Sequence, residues 1–466
     1  MTCHEKMTRR DVMALLGGAT AAGLGAGCSR QNREDVMRAL DADAEDTDPV
    51  QVMRRPVPFD PSREISLLGY GGTRLPTRGR DKNNVDRELG AKLVDFAYRH
   101  GLNYFDTGWN YHEGNGERFW GATLSKYPRE SFFLSDKMCT WRLKKETDGP
   151  EMFAEQMKRC AVEYFDFYLC HSVGSYGTFQ HSYIKLGTLD FMRKQKRLGR
   201  IRHLGMSYHG QSKDLPRILD EYPECEMCIL LVNAYEGRRN PDNLKMREIL
   251  RERKVAIVVM EPLAGGRLST MHGRARELLK EAAPDDTPAK WGYRYAASQP
   301  GVMSVLTGMG HFAYVRENVR TLSTREFKPF SAEEAAVYEK AVAAFMEVPT
   351  IACTGCRYCT PCPYGVPIPD LFAWYNKIAL TGLPPEGDAP DAQRKRRDVL
   401  VSYFNTFSEG HRAHNCIGCR KCSAACPQWT LRIPDELTKL AAFVGKTRDA
   451  YLAVGGRLRG KGPLPC

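Results

Sequence analysis

The sequence predicts an α/β chain: a closed (β/α)8 TIM-type barrel followed by a small, mainly helical, cysteine-rich domain. Three observations point there. Eight short apolar runs alternate with amphipathic stretches between Ile65 and Met309. The stretches between them carry apolar residues near a 3.6 spacing and several end in Gly or Lys/Arg, which is helical punctuation. Eight of the 16 cysteines then crowd into two short runs near the C-terminus.

Composition narrows the function. The chain has 466 residues, 42% hydrophobic and 27% charged, with a formal net charge of +12. That is ordinary for a globular protein with more than one domain. There is no long Lys/Arg block and no basic stripe interleaved with aromatics, so no nucleic-acid partner is expected.

The first segment is not barrel. "MTRRDVMALLGGATAAGLGAGC", Met7 to Cys28, pairs Arg9 with Arg10 ahead of a weakly apolar stretch rich in Gly and Ala. It resembles a twin-arginine export signal, with Val12 and Met13 where a Phe-Leu pair is common. "LGAGC" is similar to a lipoprotein cleavage site, with Gly25 in the place of Leu. The resemblance implies export to the periplasm or cell envelope and a lipid anchor at Cys28 as the only membrane contact. Residues 1–28 are thus read as signal and 29–60 as a polar tether.

The barrel is expected over 61–330. Its strands begin at Ile65 ("ISLLGYGG"), Leu102 ("LNYFDT"), Phe132 ("FFLSDKM"), Asp166 ("DFYLCHSV"), Ile201 ("IRHLGMS"), Cys228 ("CILLVNAY"), Val255 ("VAIVVMEPL") and Val302 ("VMSVLTGM"). Helical stretches such as "ELGAKLVDFAYRHG" from Glu88 and "NLKMREILRERK" from Asn243 separate them. Strand–helix alternation implies right-handed crossovers and a parallel sheet, and eight units close a barrel; a doubly wound open sheet is the alternative. No G-x-G-x-x-G follows the first strand, so a Rossmann site lacks its fingerprint.

Barrel chemistry sits at the C-terminal strand ends. Reading those ends gives Asp106 and Tyr111, then Lys137, His171 and Ser207. Singly, an Asp after a strand is a cap and a His in "YLCHS" is a core residue; four together at successive strand ends favour catalysis. The set suits carbonyl reduction. Hydride arriving at a carbonyl carbon loads charge onto the oxygen, which then needs a proton donor and hydrogen bonds. A lysine cation stabilises a tyrosine phenolate, a carboxylate fixes the lysine, and a neutral histidine orients the carbonyl. His112, beside Tyr111, reads as a loop residue.

"GYGGTRLP", "GLNYFDTGWNYHEGNGERFWG", "FFLSDK", "DFYLCHS", "IRHLGMS", "EPLAGGRL" and "VRENV" stand in an order that resembles the aldo/keto reductase superfamily, from about Ile65 to Phe327. The resemblance implies that Tyr111 is the general acid/base, tuned by Lys137 and Asp106, and that His171 positions the carbonyl. It also implies a nicotinamide dinucleotide, NADP or NAD, with Ser207 at the carboxamide and Glu317 and Asn318 near the adenine, and a small carbonyl or alcohol substrate. Tyr208 stands where Asn is common, Thr307-Gly308 where Lys-Ser is common, and Tyr314 where an Arg is expected, so NADP is not singled out over NAD. Arg316 and Arg320 read as exposed helix charges.

Residues 331–440 are expected to form the cysteine domain, with 441–466 as a tail. "SAEEAAVYEKAVAAFM" from Ser331 reads as a capped connecting helix. Run one is Cys353, Cys356, Cys359 and Cys362, then Pro363; run two is Cys416, Cys419, Cys422 and Cys426, then Pro427. Zinc sites show two separated knuckles, whereas three cysteines at successive x2 spacing wrap a cubane, with the fourth often serving the neighbouring cluster. The runs predict a ferredoxin-like domain with two [4Fe-4S] clusters, one as the fallback. Run one, a residue short before its last cysteine, is similar to a variant in aldo/keto reductases with such a C-terminal domain. Cys225 and Cys228 read as packed thiols, and Pro384 to Asp398 as an exposed insertion. Export by the twin-arginine route suits a protein that acquires its clusters before leaving the cytoplasm.

The functional expectation is an oxidoreductase whose clusters relay electrons to a partner. The alternatives are a carbonyl reductase with structural clusters and a non-catalytic, nucleotide-binding redox sensor or subunit.

Overall fold

The computed structural model describes residues 30–43 and 50–454, apart from 80, 82, 427, 429 and 430. The signal reading and Cys28 lie outside them. The antiparallel hairpin of β1 (Arg54–Val57) and β2 (Asp60–Ser66) comes first. The eight expected strands follow: β3 (Leu68–Gly71), β4 (Tyr104–Asp106), β5 (Phe133–Cys139), β6 (Phe165–Val173), β7 (Ile201–Tyr208), β8 (Met227–Leu231), β9 (Ala256–Met260) and β10 (Val302–Thr307). They close a barrel in the order β10-β3-β4-β5-β6-β7-β8-β9, parallel throughout. These strands are buried on both faces, which is why they read as nearly continuous apolar runs. Tyr104, Phe133, Phe167, Met227 and Val258 fill the interior, while Leu134, Tyr168 and Leu204 meet the outer helices.

Local signals set the helix ends. In Arg87–Arg99 the Asp86 side chain accepts from Leu89 N at 3.2 Å, and the buried face holds Leu93, Val94, Phe96 and Ala97. Truncating Phe96 to Ala would cost about 3–5 kcal/mol. The helix stops before Gly101, whose φ of +85° favours glycine.

Within the segment read as a polar tether, the described residues carry a helix and a hairpin. Val36 and Leu40 of the helix Arg30–Asp43 are buried against the barrel's outer core, and Asp41 pairs with Lys92. Two apolar residues one turn apart suffice to dock an otherwise polar helix. The hairpin closes the N-terminal end of the barrel, with Val57 and Ile65 buried among the interior residues and Phe59 against Phe167.

The helix Ala332–Met346 has the expected Ser331 cap, completed by Glu334 into a capping box. It belongs to the barrel: Tyr338, Val342 and Phe345 pack with Leu279 and Trp291. The cysteine domain builds its own core from Ile368–Thr381, Pro390–Thr406 and Ile433–Ala453, through Phe372, Leu400, Tyr403, Leu437 and Leu440. The segment read as an exposed insertion is largely helix. Pro390 opens it in the first turn, and Arg396 is buried, its guanidinium 3.3 Å from Pro385 O. The last helix crosses the expected boundary at 440, and its Val444 and Tyr451 complete the core. No described helix is long and apolar enough to cross a membrane.

Candidate active site and cysteine-lined cavity

The strand ends deliver four of the expected side chains to one rim. β4 ends on Asp106 and β5 carries Lys137, whose Nζ lies 2.7 Å from Asp106 Oδ2 and also donates to Thr107 O. Ser135 Oγ donates to Asp106 Oδ1 at 2.6 Å, so both carboxylate oxygens are held. Tyr111 opens a single turn after β4, and Lys137 Nζ lies 4.8 Å from its ring centroid. The His171 ring stands 6.1 Å from the Tyr111 ring at 79°. Gly108 permits this, because a Cβ there would lie 3.1 Å from Tyr111 Cζ. His112 sits at φ +52° in that turn, a loop position as expected.

Burial sets the protonation states. It pushes the Tyr111 phenol well above its ordinary range, with the charges of Asp106 and Asp136 adding to the effect. Burial, and then the Lys137 and His209 charges, hold His171 well below the usual imidazole range. At neutral pH the site therefore presents a protonated tyrosine and a neutral histidine. His171 Nδ1 is buried without a hydrogen-bond partner.

Several contributors were invisible in the sequence. Behind Lys137, Gln156 Nε2 donates to Asp136 Oδ1 at 2.7 Å and to Lys137 O at 3.1 Å. Glu117 joins the network through Gln156 and through Arg159 Nη1 at 2.8 Å. Trp141, after β5, stands at the mouth, its ring 5.1 Å from His171. Tyr358, from the cysteine domain, reaches the same mouth, its ring 6.0 Å from that of Trp141.

The residues expected at a dinucleotide fit at one end. Ser207 Oγ accepts from Ser172 N at 2.7 Å, beside His171, and its own hydroxyl proton remains to donate. Glu317 and Asn318, expected near the other end, are engaged within the protein. Asn318 is buried with Nδ2 3.3 Å from the Tyr293 hydroxyl, which also bonds Thr307, and Glu317 bonds Thr287. Asn318 thereby ties its helix to Tyr293. Arg320 pairs with Glu326 at 2.9 Å, which leaves it a helix charge as read.

The cysteine domain seats on the barrel mouth. Arg74, after β3, donates to Thr354 O at 2.8 Å and to Gly265 O at 3.4 Å. Gly265 has φ +72°, and a Cβ there would lie 2.6 Å from Thr354 Cα. Beyond this seat lies a cavity lined by Cys353, Cys356, Cys359 and Cys426, with Ile368 and Phe372 among its apolar walls. Burial and the neighbouring run-one thiols push Cys359 and Cys426 up to about 12. Four thiols lining one cavity suit a cubane, and binding would displace their protons. Among the described residues no cluster of three His, Cys, Asp or Glu side chains is set to hold a single metal ion. Cys225 and Cys228 are buried, free thiols as expected.

Comparison with known proteins agrees with the fold. Residues 67–342 match the aldo/keto reductase family, and residues 352–431 match the 4Fe-4S dicluster domain. An uncharacterized oxidoreductase of Bacillus subtilis (strain 168) is 24% identical over 297 residues, covering 56% of this chain and 89% of that protein. L-galactose dehydrogenase of Arabidopsis thaliana is 24% identical over 288 residues, covering 56% of this chain and 86% of its own. An aldo-keto reductase from Klebsiella pneumoniae in complex with NADPH shares the fold at a TM-score of 0.50 and 19% identity, covering 62% of this chain and 95% of that one. With its eight-stranded parallel barrel and the 4Fe-4S dicluster domain behind it, the chain belongs to the aldo/keto reductase family of oxidoreductases.

Proposed function

We propose that the barrel transfers hydride reversibly between NADP or NAD and a small carbonyl or alcohol substrate, and that the cysteine domain passes electrons on to a partner. The observation that carries this reading is Lys137, bound to the Asp106 carboxylate and 4.8 Å from the centre of the Tyr111 ring, with the His171 ring 6.1 Å from the same ring. When bound, the nicotinamide supplies or takes the hydride and iron–sulfur clusters pass single electrons.

The chain's own residues do the rest. Tyr111, protonated at neutral pH, gives its proton to the carbonyl oxygen as charge builds there. Lys137 stabilises the phenolate left behind, and Asp106 and Thr107 O hold the ammonium in place. Neutral His171 donates a hydrogen bond that orients the oxygen without competing for the proton. Ser207 would hold the carboxamide. In the alcohol-oxidising direction the same atoms run in reverse.

Cys353, Cys356, Cys359 and Cys426 would hold one [4Fe-4S] cluster, supported by the cavity they line. Cys362, Cys416, Cys419 and Cys422 would then hold the second, the crossed pattern of two-cluster ferredoxins. The Arg9-Arg10 pair supports export by the twin-arginine route to the periplasm or cell envelope, with Cys28 as the anchor point.

The test is anaerobic EPR and visible absorbance of fully loaded protein before and after NADPH or NADH. Cluster reduction by either is expected, and it names the cofactor. Reduction by dithionite alone would make the clusters structural, or wired to another donor.

A further inference from the structure

Strand β5 runs on past the end of its neighbour β4, and Lys137 sits on the overhang. Alternate residues of β5 turn their backbone groups to the β4 side. Phe133 N donates to Asn103 O at 2.7 Å, and Ser135 O accepts from Thr107 N at 3.0 Å. The register pairs Asp106 with Ser135, so a longer β4 would bring Thr107 O to Lys137 N and Trp109 N to Lys137 O. β4 ends at Asp106 instead, and the chain turns off toward Tyr111. Two buried backbone groups of Lys137 must then find other partners. Asp136 Oδ1 accepts from Lys137 N at 2.7 Å, and Gln156 Nε2, on the helix Asp148–Cys160, donates to Lys137 O at 3.1 Å. Thr107 O, which a longer strand would have given to Lys137 N, accepts from the Lys137 ammonium.

We propose that Gln156 is a positioning residue for the barrel reaction: it stands in for the missing β4 neighbour at the Lys137 carbonyl, and so fixes the backbone from which the Lys137 ammonium reaches Asp106, Thr107 and Tyr111. The inference rests on Tyr111 as the proton donor. Gln156 is wholly buried, as are Asp136 and Glu117 beside it. Its amide is held one way round. The Tyr168 hydroxyl donates to Oε1, while Nε2 faces three acceptors: Asp136 Oδ1 at 2.7 Å, Glu117 Oε1 at 3.1 Å and Lys137 O. Arg159 balances Glu117 at 2.8 Å. Asp136 and Gln156 are thus bonded to each other and to the N–H and carbonyl that flank the Lys137 Cα. Without the amide, Lys137 O is a buried acceptor with no donor, and the overhang is free to turn. A displacement of about 1 Å at a positioned group costs about 100-fold in rate. The Lys137 charge acts on the Tyr111 ring from 4.8 Å, so a loosened overhang also weakens its hold on the phenolate.

The experiment uses full-length, iron-loaded protein under anaerobic conditions, with benzaldehyde and benzyl alcohol as probes and each nicotinamide pair in turn. Q156L is expected to lower kcat about 10- to 100-fold with little change in KM. Alcohol oxidation needs the Tyr111 phenolate, so its rate climbs with pH. In Q156L that climb should move about one pH unit higher. A partly unfolded sample loses amplitude but does not move the climb. Q156N keeps an amide for the two carboxyls but is too short for Lys137 O. It should show the same shift, and it replaces Q156L if that variant does not fold. A climb that stays in place, with or without a fall in kcat, would overturn the proposal. If wild type turns over neither probe, the hydride-transfer reading is what fails, and the crystal structure of the Gln156 variant decides the placement. A Lys137 ammonium displaced from Thr107 O supports the positioning role, and an ammonium still bound there refutes it.

Discussion

The Lys137 ammonium lies 2.7 Å from the Asp106 carboxylate, and both side chains are almost wholly buried at adjoining strand ends. Neither charge can be removed without stranding the other in a dry site. Lys137→Met or Asp106→Asn should each lower unfolding free energy by about 3–5 kcal/mol. The double variant should lose less than the sum, because no lone charge remains. Urea unfolding of the four proteins checks this, and turnover should fall about 100- to 10,000-fold in each single variant.

Tyr111→Phe removes the proton donor but keeps the ring against His171. Turnover should drop about 100- to 10,000-fold while nicotinamide binding, followed by fluorescence, is retained. In wild type, burial holds the Tyr111 phenol above its ordinary range. The reduction rate should therefore stay level up to about pH 10, where an unperturbed tyrosine would already be losing its proton. Unchanged turnover in the variant would remove Tyr111 from the mechanism.

His171 gives a pH signature in stability. Its folded pKa is depressed, so the folded chain keeps it neutral while the unfolded chain takes up a proton near pH 6.5. Below that pH the unfolded state binds more protons, so stability falls as pH falls and is fully regained above about 6.5. Thermal midpoints between pH 5 and 8 should show this slope, and His171→Gln should flatten it.

Cys353 and Cys426 line one cavity although they come from different runs. Cys353→Ser and Cys426→Ser should each remove about four of about eight irons, and the double variant should remove no more. If each run held its own cluster, the double variant would lose both. Iron and acid-labile sulfide assays distinguish the two patterns.

Gly265 meets Thr354 with no room for a Cβ and has φ +72°. Gly265→Ala should destabilise this seat by about 1–3 kcal/mol. Hydrogen exchange should rise over residues 350–360 and stay level in β4, β5 and β6. A change spread evenly over the barrel would argue against a local seat.

What the sequence disclosed was what local pattern encodes. Strands β3 to β10 and their C-terminal residues could be found because period, punctuation and residue type lie within each run. Ser331 advertised its helix in the same way. Tyr358 could not be found, since its place at the mouth comes from a contact with Trp141 across two domains and nothing in "CRYC" marks it. The grouping of Cys426 with run one depends on how the helices Ile368–Thr381 and Pro390–Thr406 fold the chain back. Charge hid the second of these: "RKRR" looks solvated until Arg396, Val399, Leu400 and Tyr403 are seen to share its buried side. For Asn318 a motif gives position in the chain, whereas its bond to Tyr293 comes from the fold.

The hairpin of β1 and β2 fixes how the molecule can be presented. Val57 and Ile65 shut the barrel at the end where the chain enters, while Arg74, Trp141 and Gly265 ring the opposite end together with Thr354 and Tyr358. A surface that held the protein by the segment preceding residue 50 would grip its blind side. The barrel mouth and the segment that carries Cys353, Cys356 and Cys359 would then look outward together.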